Sequence, residues 1–163
     1  MNIEIHNYDY FIPEDYSNFD SDDLNSIANS IFKQIDKLKI ATFNSCFSKY
    51  DDIFVQLDFA YDFGSIACEL KNLELFLEAK KGKFILLLYE NNRIIEFIFH
   101  ETSLNFKLIN ISKIGHEYTV AMGEIEYNSF RSTILKLRSD FELLLKLYFP
   151  IAHNILKKQN YII

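Results

Sequence analysis

Residues 84–111 read FILLLYENNRIIEFIFHETSLNFKLINI, and the fold turns on this stretch. Phe84 to Glu90 is apolar on both faces, which predicts a strand placed centrally in a sheet. Asn91-Asn92 supplies a two-residue turn, because asparagine tolerates positive φ. The chain then returns from Arg93 to His100, turns near Thr102-Ser103 and runs out again from Asn105 to Ile111. Strands joined by turns this short run antiparallel, since a parallel pair needs a long crossover.

The pattern continues on both sides. Glu117 to Tyr127 predicts a fourth strand of the meander. Tyr118, Val120 and Met122 alternate on one face, and Ile125 and Tyr127 take over after Gly123, so a bulge is expected at Gly123. A long helix starts at Asn128 or Ser129, with Phe130, Ile134, Leu137, Phe141, Leu144 and Tyr148 three or four positions apart. Pro150 ends it and opens a short helix through Ile155. Upstream, Ile53, Val55, Leu57, Phe59 and Tyr61 alternate with other residues, as a strand with one buried face does. Gly64 breaks that strand. Ser65 is the expected cap of a helix burying Ile66, Leu70, Leu73, Phe76 and Leu77, and Lys80, Lys81 and Gly82 end it. An earlier helix starts near Ser21 or Asp22 and carries Leu24, Ile27, Ile31, Ile35 and Leu38 on one side. Acids at its first turn and Lys33, Lys37 and Lys39 near its end suit the helix dipole. Ile3 and Ile5 alternate as a short edge strand, and residues 7–20 read as an irregular loop interrupted by Pro13. The expectation is a single α+β domain over residues 1–163. It has a mainly antiparallel sheet of about five to six strands, helices packed on one face and a long C-terminal helix.

Composition agrees with one globular unit. Hydrophobic residues make up 49% of the 163 and charged residues 25%, so apolar burial offsets chain entropy without a second domain. Phenylalanine (16) and tyrosine (10) stand in for absent tryptophan, with phenylalanine expected in the core and tyrosine at its rim. MNIEIHNYDYF has no basic stretch followed by an apolar run, so no secretory signal is expected. The densest apolar run, Phe84 to Leu88, is too short to cross a bilayer. Cys46 and Cys68 form no C-x-x-C, and a reduced, cytoplasmic setting is expected.

Motifs that carry chemistry are missing at the positions where they begin. A calcium loop starting at Asp20 requires Gly and Glu where Asn25 and Ile31 stand. His100-Glu101 and His116-Glu117 open like H-E-x-x-H, but Leu104 and Val120 occupy the place of the second histidine. The four glycines, at 64, 82, 115 and 123, allow no phosphate-cradling loop. Carboxylates pair at Asp51-Asp52, Asp58 with Asp62, and Glu124 with Glu126, where a solvated face is the simpler reading than acid–base chemistry. Lys71, Lys80, Lys81, Lys83, Arg131, Lys136 and Arg138 read as solvated faces rather than as a nucleic-acid stripe. No catalytic residue, metal or cofactor is expected.

The charge is distributed unevenly. Of the 23 acids, Glu4, Asp9, Glu14, Asp15, Asp20, Asp22 and Asp23 fall within residues 1–32, which hold none of the 17 lysines and arginines. The rest of the chain is nearly balanced, so the net charge of −6 originates in that segment. Direct nucleic-acid binding is not expected, because it needs a basic footprint to release counterions. Within the segment, EDYSNFDSDD (residues 14–23) mixes carboxylates with aromatic rings. Glu14, Asp15, Tyr16, Phe19, Asp20, Asp22 and Asp23 are therefore the candidate partner-binding residues. Aromatic residues concentrate at interface centres, and an acidic rim speeds capture of a basic partner.

Three stretches carry a resemblance: IFVQLDFAYDFGS, ELKNLELFLEAKKGKF and GEIEYNSFRSTILKLRSDFELLLKLYFP, within Asp52 to Pro150. They resemble the immunity proteins of bacterial contact-dependent growth inhibition and related polymorphic toxin systems. Those proteins are small, often acidic and rich in Asn, Ile, Lys, Phe and Tyr. The resemblance implies a non-enzymatic chain that binds the C-terminal toxin domain of a cognate effector, often a nuclease. Binding would block that domain's active site or its access to substrate. No functional residue is carried over from the resemblance. Two other readings stay open. One is a phage-type acidic inhibitor of a nucleic-acid enzyme. The other is an enzyme of unrecognised type, which needs a pocket lined by several of His100, His116, Asp58 and Glu124. The oligomeric state is left open, since an exposed edge strand supports either a homodimer or an added partner strand.

Overall fold

The computed structural model describes residues 2–5, 27, 30–31, 33–35, 41–44, 62–88 and 92–158. The elements are β1 (Asn2–Ile5), β2 (Ala41–Asn44), α1 (Gly64–Ala79), β3 (Lys83–Leu88), β4 (Arg93–His100), β5 (Ser103–Ile111), β6 (Glu117–Ile125), α2 (Tyr127–Tyr148) and α3 (Pro150–Lys158). Between β1 and β2, Ile27, Ile31 and Ile35 are helical and fully buried, as their spacing of four requires. The expected strand over residues 53–61 lies outside the described residues.

The fold is α+β. Strands β3 to β6 form an antiparallel meander in the order β3-β4-β5-β6. Among the described residues the main sheet has four strands, against the five to six expected. β1 does not join it but pairs antiparallel with β2, Ile3 opposite Phe43, in a separate two-stranded sheet. β2 (ATFN) went unread because Phe43 is its one large apolar residue.

Register sorts the side chains of the main sheet. Leu86, Leu88, Ile95, Phe97, Leu104, Phe106, Leu108 and Ile125 fall on one face and are buried there. Ile66, Leu70, Leu73 and Leu77 of α1 and Phe130, Ile134, Leu137, Phe141 and Leu144 of α2 close the same core. Aromatic rings bridge the layers: Phe97 meets Phe130 at 5.2 Å between centroids, and Phe63 meets Phe141 edge-on at 5.1 Å. Both helices therefore lie on one face.

Several local expectations shift. The apolar run that begins at Phe84 is not central: β3 is an edge of the sheet among the described residues. Phe84, Leu86 and Leu88 face the helices, whereas Ile85 and Leu87 point to the open side and remain exposed. A run that is apolar on both faces does not by itself distinguish a central strand from an edge strand. Ser65 is not the cap of α1. Phe63 precedes the first turn and makes no side-chain cap bond. The other end of α1 is as read, with Lys80 left-handed at φ 51° and its N–H donating to the Phe76 carbonyl. Asn92 takes positive φ (49°), as the β3–β4 turn demands. The bulge lies not at Gly123 but at Val120. Ala121 opposes Leu108 and Thr119 opposes Ile109, which leaves Val120 without a partner on β5.

α2 begins at Tyr127, one residue earlier than expected, because Glu126 caps it. The Glu126 carboxylate accepts from the N–H of Asn128 (3.1 Å) and of Ser129 (2.6 Å). Among the described residues, no helix is long and apolar enough to cross a membrane.

Candidate interaction surface

The acidic segment selected from sequence, Glu14, Asp15, Tyr16, Phe19, Asp20, Asp22 and Asp23, lies outside the described residues. The structure does place most of the other candidates. His100 ends β4, where it opposes Ser103 at the start of β5, and His116 lies beyond the far end of β5. The length of β5 therefore separates the two histidines. Glu126 is committed to the α2 cap, and its neighbour Glu124 faces the open side of the sheet opposite Asn105. Asp62 is buried just before α1 and Asp58 lies outside the described residues. Among the described residues, no three His, Cys, Asp or Glu side chains converge in a way that would hold a metal ion.

Several basic side chains have partners within the fold. Arg138 reaches from α2 to Glu74 of α1 (2.6 Å), and Arg131 approaches Glu78 at 4.0 Å, so two ion pairs tie the helices together. Lys83 pairs with Glu96 across β3 and β4, and Lys136 pairs with Asp140 along α2. Lys80 stands 4.5 Å from the centroid of the Tyr127 ring, whose hydroxyl donates to the Leu77 carbonyl at 2.9 Å.

One titratable cluster was not singled out from sequence. His153 of α3 is buried against α2, with Nε2 3.7 Å from Glu142 Oε1. Lys146 donates to the same carboxylate oxygen at 2.9 Å. The Lys146 hydrogen bond holds the Glu142 carboxyl below its ordinary value near 4.5, against the opposing effect of burial, with Lys157 adding attraction. Glu142 and Lys146 belong to α2, and His153 of α3 approaches them without a hydrogen bond from Nε2. The histidine was hidden in the sequence because Pro150 to Lys158 is too short to show which face is covered.

The open face of the sheet has a different character. Across it, Leu87, Ile94 and Ile109 form one row, flanked by the row Ile85, Glu96, Lys107 and Met122. Exposure is high on the two outer strands, 47% at Ile85 and 64% at Met122, and falls between them to a buried Ile109; on β6 Val120 is 51% and Tyr118 55% exposed. In the turn between β5 and β6, Ser112 accepts on its hydroxyl from the His116 N–H (3.0 Å), and Ile114 at the tip is 80% exposed. Glu117 and Glu124 are the only charged residues of β6. The alternation of Tyr118, Val120 and Met122 had suggested a single face. The bulge separates them, placing Met122 opposite Lys107 on the open face and Tyr118 opposite Asn110 on the other. Tyr118 is nevertheless exposed, although it shares the face on which the helices pack. The β5–β6 hairpin thus presents four large apolar side chains to solvent, in its turn and on both faces of β6, with Glu117, Glu124, Lys107 and Lys113 among them. A scan against protein-family models finds no match to this chain, and neither curated proteins nor solved structures provide one.

Proposed function

We propose that this chain is a non-enzymatic binding protein that acts in the cytoplasm and neutralises a cognate toxin domain, basic and nuclease-like, by covering its active site or its path to substrate. The observation that carries the reading is the β5–β6 hairpin, where Ile114, Tyr118, Val120 and Met122 are exposed in the turn and along β6, near Glu117 and Glu124. Exposed apolar side chains supply affinity when a partner buries them, and the two carboxylates of β6 supply charge for rate and selectivity toward a basic partner. The acidic N-terminal segment adds charge of the same sign. The toxin identity of the partner rests on the resemblance to immunity proteins, and the basic character on charge.

The test is co-expression with the domain encoded immediately upstream in the same operon, followed by affinity purification at low and high salt. The expected result is a one-to-one complex that survives salt, together with rescue of growth in cells expressing that domain. Absence of both complex and rescue would remove the toxin-neutralising reading.

A further inference from the structure

We infer that the open edge of β6 receives an extended, basic strand from the protein partner, so that the sheet continues from this chain into the partner. The inference rests on the binding function proposed above and assigns it a surface. Among the described residues, β6 ends the main sheet, and every second residue of such an edge turns its N–H and C=O away from β5. β6 runs for nine residues, EYTVAMGEI, with no proline, lysine or arginine. Proteins blunt long edges with those residues because a bare edge is a template for another strand. The opposite edge, β3, shows the contrast: it has six residues and opens on Lys83, which is paired with Glu96. The bulge at Val120 bends β6 but leaves Ala121 to Ile125 in regular register with β5.

Charge selects the occupant. Glu117 opposes Ile111 and Glu124 opposes Asn105, so both carboxylates point to the open face, with Lys107 behind Met122 on β5. A second copy paired through β6 would bring four carboxylates onto the shared edge with no cation on either strand. A partner strand with lysine or arginine near Glu117 and Glu124 makes opposite-charge cross-strand pairs instead. Its alternate, apolar side chains then lie on the other face of the sheet, beside Tyr118 and Ala121. Strand addition uses backbone bonds for affinity and these alternate contacts for selectivity.

The experiment measures amide hydrogen exchange on the full chain under three conditions: alone, with the upstream-encoded domain, and with a nine-residue peptide alternating valine and lysine. The same peptide with glutamate for lysine is the control. In the complex, alternate amides within Glu117–Ile125 are expected to exchange at least about tenfold more slowly. The valine–lysine peptide should protect the same positions and the glutamate peptide none. Val120→Lys and Met122→Lys replace exposed side chains, so the fold and its melting temperature should persist while capture weakens about tenfold or more. A stable complex with β6 unprotected overturns the inference and leaves the neutralising function intact. If no complex forms, that function fails, and the peptide decides the edge: protection by the basic peptide alone sustains it, and no protection overturns it. A dimer of the chain alone with β6 protected also overturns it, because a second copy then holds the edge.

Discussion

Glu126 shows how a single side chain sets a boundary that the helical pattern leaves loose. Its carboxylate satisfies two of the N–H groups that the first turn of α2 leaves without a partner. Glu126→Ala is expected to cost about 1 kcal/mol, read as a lower urea midpoint with an unchanged slope. Glutamate is not among the favoured capping residues, which is why the sequence pointed one residue further on. Glu142 makes a different prediction. Its carboxyl is held below the ordinary value near 4.5, first by the Lys146 hydrogen bond, so the folded state binds that proton less tightly than the unfolded chain. The resulting stabilisation is complete above the unfolded value and is lost as pH falls through the lower folded value. Urea unfolding followed from about pH 6 down to about pH 3 should therefore show less acid loss in Lys146→Met than in the parent. An unchanged acid limb would mean that the hydrogen bond does not persist in solution.

Elements were legible in proportion to their length. α2 shows its buried stripe across 22 residues, and Phe130, Ile134, Leu137, Phe141 and Leu144 are buried as the spacing requires. Phe141 is at the centre, against Phe63, and Phe141→Ala should cost about 3–5 kcal/mol through lost burial and the cavity left behind. Leu147, on the outer side of the same helix, is 58% exposed, and Leu147→Ala should stay within about 0.5 kcal/mol. Thermal or urea unfolding of the two variants checks the assignment of faces, and comparable losses would contradict it. Strands were less legible. β4 and β5 follow their alternation, but β2 was missed and the bulge in β6 was misplaced by three residues. Either bulge position produces a phase change between Tyr118 and Ile125, and only pairing with β5 distinguishes them.

At the scale of the molecule, charge and shape provide separate parts of the proposed recognition. Long-range attraction from the acidic segment acts on encounter rather than on the bound contacts. Converting Asp15, Asp20, Asp22 and Asp23 to asparagine is expected to slow association with the upstream-encoded domain by about tenfold and to flatten its salt dependence. Stopped-flow rates at low and high salt measure this, and unchanged rates would discard that segment as the steering surface. The sequence by itself determined the α+β class, the antiparallel meander from Lys83 to Ile125, the buried faces of α1 and α2, and the location of the acidic charge. All of these follow from local periodicity, turn chemistry and composition. Only the tertiary structure decided that β1 pairs with β2, that β3 and β6 are edges among the described residues, and that the β5–β6 hairpin leaves its apolar side chains uncovered. Periodicity says which residues share a face. Whether anything covers that face depends on where distant elements pack, and no local pattern encodes it.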